Sequence, residues 1–193
     1  MWSASHGPSL VFEKPLAEEG MEAWRISRIN QRDDTPIFLS VKGTQKVFNG
    51  YGAQETCDML FEALLSPCMS THAVCENEGI WARFKRAVLD YQDTRICIVT
   101  TSPSILPYVS GYRPFRFNPN GHSKFLKYVS TYRRRYVKVD REQLKLINDL
   151  NLLNRNDELQ ADGSVYMSKS RPLPGCPLLG TKVGNYATNY LVW

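Results

Sequence analysis

Two apolar stripes with the spacing of an α-helix limit the folds that this chain can adopt. The first stripe follows the turn signal Gly50-Tyr51-Gly52, is closed by Pro67, and consists of Cys57, Leu60, Phe61, Leu64 and Leu65. The second stripe begins after Gly79 and consists of Ile80, Trp81, Phe84, Ala87, Val88 and Tyr91. Each stripe predicts an amphipathic helix that buries one face against the rest of the chain.

Segments rich in β-branched and aromatic residues predict strands beside these helices. Residues 22–43 have the pattern of a β-hairpin, because EAWRISRIN and PIFLSVKG flank the polar turn QRDDT. Further short strands are predicted at 46–49, at 95–101 (RICIVTT) and near 165–167. We therefore predict an α+β fold, in which a small mixed or antiparallel sheet, formed by the N-terminal hairpin and strand 95–101, is covered by about four helices.

The second half of the chain predicts two more helices and an extended tail. A third helix is expected from His122 to about Tyr136, and Asp140 with Gln143 three residues later forms a capping box for a fourth. Residues 66–78 hold few packing residues and are expected to form a long loop. The 193 residues are predicted to comprise an N-terminal arm (1–20), a single α+β domain (21–168) and an extended C-terminal tail rich in Pro, Gly and Tyr (169–193).

The net charge of +5 is distributed unevenly along the chain. Residues 1–110 carry 10 Lys and Arg against 13 Asp and Glu, whereas residues 111–193 carry 14 against 6. The second half is therefore expected to meet an anionic partner, such as nucleic acid, an anionic membrane surface or an acidic protein.

The N-terminal residues and the cysteines bear on the compartment. The N-terminus lacks the basic and apolar regions of a secretory signal, and the longest uncharged stretch, Ile96–Tyr112, contains Pro103 and Pro107. Five unevenly spaced cysteines indicate free thiols in a reducing compartment. We expect an intracellular, non-secreted protein of the cytoplasm, the nucleus or an organelle matrix, with no transmembrane segment.

Residues 112–138 interleave basic and aromatic side chains more densely than any other part of the chain. On a helix that begins near His122, the aromatic residues would share one face and the cations an adjacent one. Such cations can pair with successive phosphates, and exposed rings can stack on unpaired bases. The candidate nucleic-acid-binding residues are Tyr112, Arg113, Phe115, Arg116, Phe117, Lys124, Lys127, Tyr132, Arg133, Arg134, Arg135 and Lys138.

The leading hypothesis is a non-enzymatic basic binding or assembly protein that engages RNA or another polyanion through residues 112–138 and needs no cofactor. It would be a subunit of a larger ribonucleoprotein or of a viral matrix or nucleocapsid assembly, with protein partners held by its terminal tails. An anionic membrane surface is an alternative partner for the same cations. In the simplest alternative, the cations are only the solvated face of an amphipathic helix.

Two alternatives rest on cysteines. In the first alternative, a papain-like cysteine hydrolase, Cys57 near the start of its helix would be the nucleophile and His122 its general base. Gln54 would donate a hydrogen bond to the oxyanion. The segment GAQETCDMLFEAL, residues 52–64, resembles the nucleophile helix of papain-like and ovarian-tumour-type cysteine proteases, although Asp58 replaces the aromatic residue usual after the nucleophile in papain-like enzymes. In the other alternative, a structural zinc-binding interaction module, the metal ligands would be Cys57, Cys68, His72 and Cys75.

Overall fold

The computed structural model describes residues 6–103, 105, 118–131, 136–139, 141–150, 158–159, 165–166, 181–183 and 189–192. The fold is mostly helical. Its helices are α1 (Lys14–Gln31), α2 (Ile37–Gly43), α3 (Ala53–Glu62), α4 (Thr71–Glu76), α5 (Glu78–Thr101), α6 (Pro119–Phe125), which continues into a single 3-10 turn (Leu126–Tyr128), and α7 (Arg141–Asp149).

Short strands occur only after residue 135 within the described part of the chain. They are β1 (Tyr136–Val139), β2 (Glu158–Leu159), β3 (Val165–Tyr166), β4 (Thr181–Val183) and β5 (Asn189–Val192). Strand β5 pairs antiparallel with both β1 and β4, so that Leu191 lies opposite Val137 and Lys182, and β2 pairs antiparallel with β3. No strand occurs in residues 6–103, which supply most of the core.

The predicted α+β fold is therefore wrong, because the segments assigned to its sheet are helical. The predicted hairpin, residues 22–43, lies in α1, in α2 and in the turn between these two helices. In this turn, at QRDDT, Arg32 has a left-handed φ of 49°. Helix α1 places Ala17, Met21 and Trp24 in the core at intervals of four and three residues. This periodic burial outweighs the strand preference of the isoleucines, and Ile26 stays 59% exposed.

The segment 95–101, predicted as a buried strand, forms the last two turns of α5. Neither glycine nor proline, the residues that commonly end a helix, occurs between Tyr91 and Ser102. The helix ends where Ser102 adopts an extended conformation before Pro103. Ile96 is 42% exposed, so the apolar run is not a buried strand. The strand predicted at 46–49 is also wrong, because these residues form turns.

The other predicted elements fare differently. The helices predicted from the two apolar stripes are found as α3 and α5, although α3 ends at Glu62, before Leu64 and Leu65, and the fourth helix is found as α7. The loop prediction for 66–78 is wrong in part because it contains α4, and the strand near 165–167 matches β3. Helix α1 begins inside the segment assigned to the N-terminal arm. The division into arm, domain and tail stays a prediction.

An aromatic cluster joins α1 to α5 in the centre of the core. The ring of Trp24 meets Phe48 edge-on at a centroid distance of 4.9 Å, and Phe84 packs against Trp81 at 5.5 Å. The buried Tyr51 hydroxyl donates a 2.6 Å hydrogen bond to the Val88 carbonyl, which ties the turn before α3 to α5. Helices α3 and α5, which carry Asp58 and Arg95 respectively, are thereby held in a fixed relation.

Candidate functional site

A buried carboxylate on α3 anchors the turn that follows α6. Asp58 is 0% exposed, and its Oδ1 accepts hydrogen bonds from the Thr131 backbone N–H at 2.7 Å and from the Thr131 hydroxyl at 2.8 Å. Its Oδ2 accepts one from the Ser130 N–H at 3.1 Å. Hydrogen bonds to an ionised acceptor are the stronger kind, so this contact fixes residues 130–131 to the helical core.

Arg95 on α5 supports the same turn from the other side. Its Nη2 lies 3.4 Å from Asp58 Oδ2 and 3.6 Å from Glu62 Oε1, while its Nη1 donates to the Tyr128 carbonyl. The guanidinium also lies over the ring of Tyr91, 4.5 Å from its centroid. Asp58 and Arg95 together connect α3, α5 and the chain around Tyr128 in one polar network.

This anchor lies inside the basic segment that the sequence singled out. Lys127 is exposed and Lys124 is half-buried just before it, and within the described part of the chain neither lysine pairs with a carboxylate. The other candidates are Tyr112, Arg113, Phe115, Arg116, Phe117, Tyr132, Arg133, Arg134 and Arg135, which lie outside the described residues, and Lys138, whose backbone is in β1.

The helix predicted from His122 to Tyr136 is correct only at its start, because the chain leaves the helix by Val129 and Tyr136 lies in β1, so the rings and cations do not share one helix. Helix α6 starts earlier, with Asn118 as N-cap and Pro119 at its first position, and the following 3-10 turn ends at Tyr128. Val129 is extended, and the next two backbone amides donate to Asp58 rather than to a helix. Capture of these amides by the buried carboxylate ends the helix.

The environment of Cys57 opposes the cysteine-hydrolase alternative. Cys57 is the fifth residue of α3, beyond the unpaired amides of the first turn that lower a thiol pKa. Burial raises the pKa of its thiol, and the negative charge of Asp58 raises it further. The thiolate fraction is thereby reduced, and the structure favours a small packing residue at this position. His122, the proposed base, lies exposed on α6.

The structure does not assemble the alternative zinc site. Cys75 is 0% exposed, and burial raises the pKa of its thiol to about 12, whereas Cys68 is exposed. His72 lies 3.9 Å from Glu76, its neighbour one turn on. Across the described residues, no three His, Cys, Asp or Glu side chains, Cys57 included, form a group that could hold a metal ion. Residues 66–78 are held in place by helix α4 and by two hydrogen bonds that Thr71 donates to the Thr35 carbonyl, rather than by a metal ion.

A charged cleft between α3, α5 and α7 was missed by the sequence reasoning. It encloses about 230 Å³ and is lined by Glu62, Ala63, Leu64, Arg83, Arg86, Ala87, Asp90 and Leu146. Arg83, Arg86 and Asp90 share one face of α5, and this spacing is visible in the sequence. Glu62 gives no such signal because its position depends on how α3 packs against α5.

Glu62 has an unusual protonation equilibrium in this cleft. Burial raises its pKa from 4.5 to about 7, the nearby Arg95 lowers it, and the negative charges of Asp58 and Asp90 raise it further. A carboxyl group with this pKa changes charge near neutral pH.

We expect Glu62→Gln to raise the free energy of unfolding by about 1 kcal/mol above pH ~8 and to change it little near pH ~5. Because the folded pKa is raised, the folded chain holds the proton more tightly than the unfolded chain, so wild-type stability falls as pH rises from about 4.5 to about 7. The expected gain is smaller than the full pKa shift implies, since the side chain is 35% exposed. Urea denaturation over this pH range measures it.

Glu76→Gln is the matched control, because the Glu76 side chain is 70% exposed and should change stability little at any pH. Parallel pH curves for the wild type and Glu62→Gln would show that Glu62 does not titrate as expected.

Comparison of the chain with models of known protein families, with curated proteins and with solved structures found no match. Among the described residues, no helix combines the length and the apolar character that a membrane span requires. A functional assignment therefore has to be argued from the residues themselves.

Proposed function

We propose that this chain is a binding or assembly protein that engages RNA or another polyanion through residues 112–138. The observation that carries the proposal is the anchor formed by Asp58, which accepts hydrogen bonds from Ser130 and Thr131 within this segment. It holds Thr131 immediately before the sequence Tyr132-Arg133-Arg134-Arg135 and shortly after the two lysines without carboxylate partners.

Anchoring supports binding because a fixed segment loses less conformational freedom when it meets its partner. Each long side chain that must be ordered on binding costs about 0.5–1.5 kcal/mol, and a mobile backbone adds to that cost. The Asp58 and Arg95 contacts meet the backbone part of the cost during folding. Lys124 and Lys127, which lie shortly before the anchored residues, then need mainly the ordering of their own side chains to reach phosphates.

The charge distribution supports the same proposal. The acidic first half of the chain uses carboxylates in local pairs, such as Glu18 and Glu22 with Lys85, and Glu78 with Arg25. Within the described residues these carboxylates leave Lys124 and Lys127 unneutralised. The C-terminal tail lies mostly outside the described residues, whereas residues 6–20 of the N-terminal arm are described; both segments are proposed to hold protein partners.

The test is the salt dependence of binding to a labelled single-stranded RNA. Each neutralised phosphate contributes about 0.7 to the slope of log affinity against log salt for a single strand. Lys124→Glu with Lys127→Glu should therefore lower the slope by about 1.4 and the low-salt affinity about tenfold or more. Reversing Arg133, Arg134 and Arg135 should lower the slope by about 2.1.

The matched control is Lys42→Glu with Lys46→Glu. Both lysines are exposed, they lie one helical turn apart in sequence, and their reversal changes the net charge by the same amount. The proposal fails if this control weakens binding as much as the 124/127 pair does, or if wild-type affinity barely changes with salt. Co-flotation with anionic vesicles in the absence of RNA binding would assign the segment to a membrane surface instead.

A further inference from the structure

We propose that the cleft between the C-terminal end of α3 and the middle of α5 binds a phosphate group through Arg83 and Arg86. None of the described residues within 112–138 lines this cleft, and the proposal does not depend on the function proposed for that segment. The group that the site would bind is a tetrahedral oxyanion. Two kinds of ligand carry such a group, a small phosphorylated molecule and the backbone of a nucleic acid.

The first argument is that Arg83 is a half-buried cation without a carboxylate partner. Its Nε donates to the Ala63 carbonyl at 3.3 Å, and burial lowers its pKa. In the described part of the chain no Asp or Glu forms an ion pair with it. A half-buried guanidinium that makes one backbone hydrogen bond through Nε keeps the donors of both Nη atoms for a ligand.

The second argument is the position of Arg86. It lies three residues after Arg83 on the same helix, is exposed, and also has no ion pair among the described residues. Side chains three apart are neighbours on a helix surface, so both guanidinium groups line the same cleft. Planar guanidinium forks match the oxygens of a phosphate and bind them in pairs.

The third argument is size. The cleft volume of about 230 Å³ lies below the range of about 300–1,000 Å³ that is usual for drug-sized ligands. Its apolar walls, Ala63, Leu64 and Ala87, are buried and fixed in the core. A single compact anionic group fits this space better than a large ligand.

The carboxylates of the cleft oppose an anion, and they set how binding should depend on pH. Glu62 is faced by Arg95, Arg83, Arg86 and Asp90 from α5 and by Asp58 from its own helix, while α7 contributes the uncharged Leu146. With a pKa of about 7, Glu62 loses its charge in mildly acidic solution, so one of the two carboxyl groups that line the described cleft no longer repels an anion. Protonation of Glu62 should thus favour the bound anion.

Sulfate is the probe for the pH test, because its charge is constant in this range, and inorganic phosphate and a nucleoside monophosphate test the ligand class. Binding is measured by calorimetry at constant ionic strength in chloride. Sulfate should bind several-fold more tightly about one unit below the Glu62 pKa than about one unit above it. Tighter sulfate binding at the higher pH would overturn the proposal, because the charge that Glu62 then carries should repel an anion in the cleft.

Three substitutions test the residues. Arg86→Gln, at an exposed position, should weaken sulfate and phosphate binding about tenfold or more. Arg83→Lys keeps the charge but loses the fork, and should weaken binding about threefold or more. Asp90→Asn removes a repelling charge and should strengthen binding about twofold.

The control is Lys42→Gln, which removes an exposed positive charge outside the cleft and should leave anion binding unchanged. Lys124→Glu with Lys127→Glu should also leave sulfate binding unchanged, so failure of the RNA proposal would not count against this site. If free anions do not bind but Arg86→Gln weakens RNA binding, the phosphate belongs to the nucleic acid. If Arg86→Gln changes neither, the inference is wrong.

Discussion

Asp58→Ala is expected to lower the free energy of unfolding by about 3–5 kcal/mol. The substitution leaves the Ser130 and Thr131 amides without the carboxylate that accepts their hydrogen bonds, and it leaves Arg95 beside Glu62 alone. Buried donors without an acceptor lose their full solvation, and the half of an ion pair that stays behind is costly. Urea denaturation measures the loss, and hydrogen exchange at the two amides reports release of the turn.

Two milder variants keep this prediction testable if Asp58→Ala does not fold. Asp58→Asn retains one oxygen for Thr131 but turns an amide group towards Ser130 and Arg95, so it should cost about 2–3 kcal/mol. Thr131→Val removes only the hydroxyl donor and should cost about 1 kcal/mol. A cost below about 1 kcal/mol for Asp58→Asn, with unchanged exchange at both amides, would show that the carboxylate does not anchor the turn.

The Asp58 variants also separate the anchor from the cations in RNA binding. Asp58→Asn leaves every lysine and arginine in place, so the number of phosphates contacted, and hence the salt slope, should change little. The affinity itself should fall, because the backbone around Thr131 must then be ordered during binding. A lowered slope with unchanged affinity would be the opposite of this expectation.

Helix periodicity was informative in this sequence and strand propensity was not. The stripe that starts at Ile80 lies on α5, and the stripe that starts at Cys57 lies on α3 as far as Phe61, because three- and four-residue spacing follows the buried face of a helix. In α1 the same spacing connects Ala17, Met21 and Trp24, but the strand was predicted from the content of β-branched and aromatic residues, which does not report burial. A count of both periods over residues 14–31 would have favoured the helix.

The candidate site was harder to foresee, because it depends on contacts between residues distant in sequence. Asp58 accepts hydrogen bonds from the backbone amides of Ser130 and Thr131, which lie 72 and 73 positions further along the chain. Nothing local distinguishes Asp58 from a solvated carboxylate, except that it is next in sequence to Cys57, a member of the apolar stripe. Arg83 and Arg86 look like ordinary members of a polar helix face, and only the packing of α3 makes the region around them a cleft.

The second large effect is expected in the aromatic cluster. Phe84→Ala should lower the free energy of unfolding by about 3–5 kcal/mol, because the side chain is 0% exposed and packs against three rings, of which Trp81 is 5.5 Å, Phe48 5.9 Å and Trp24 6.5 Å from its centroid. Removing it leaves a cavity that these large, interlocked rings cannot close. Denaturation in urea measures the change, with the slope against urea expected to stay constant.

Phe12 provides the control, since the same substitution there removes a ring that is 86% exposed and should change stability by less than about 0.5 kcal/mol. Phe84→Leu refills most of the volume and should cost about 1–1.5 kcal/mol. The three changes in the free energy of unfolding together test which face of α5 is buried. If Phe84→Ala and Phe12→Ala lower it equally, Phe84 does not face the core. The anchor and the cleft would then lose their support, because Arg95, Arg83 and Arg86 are positioned by the same helix.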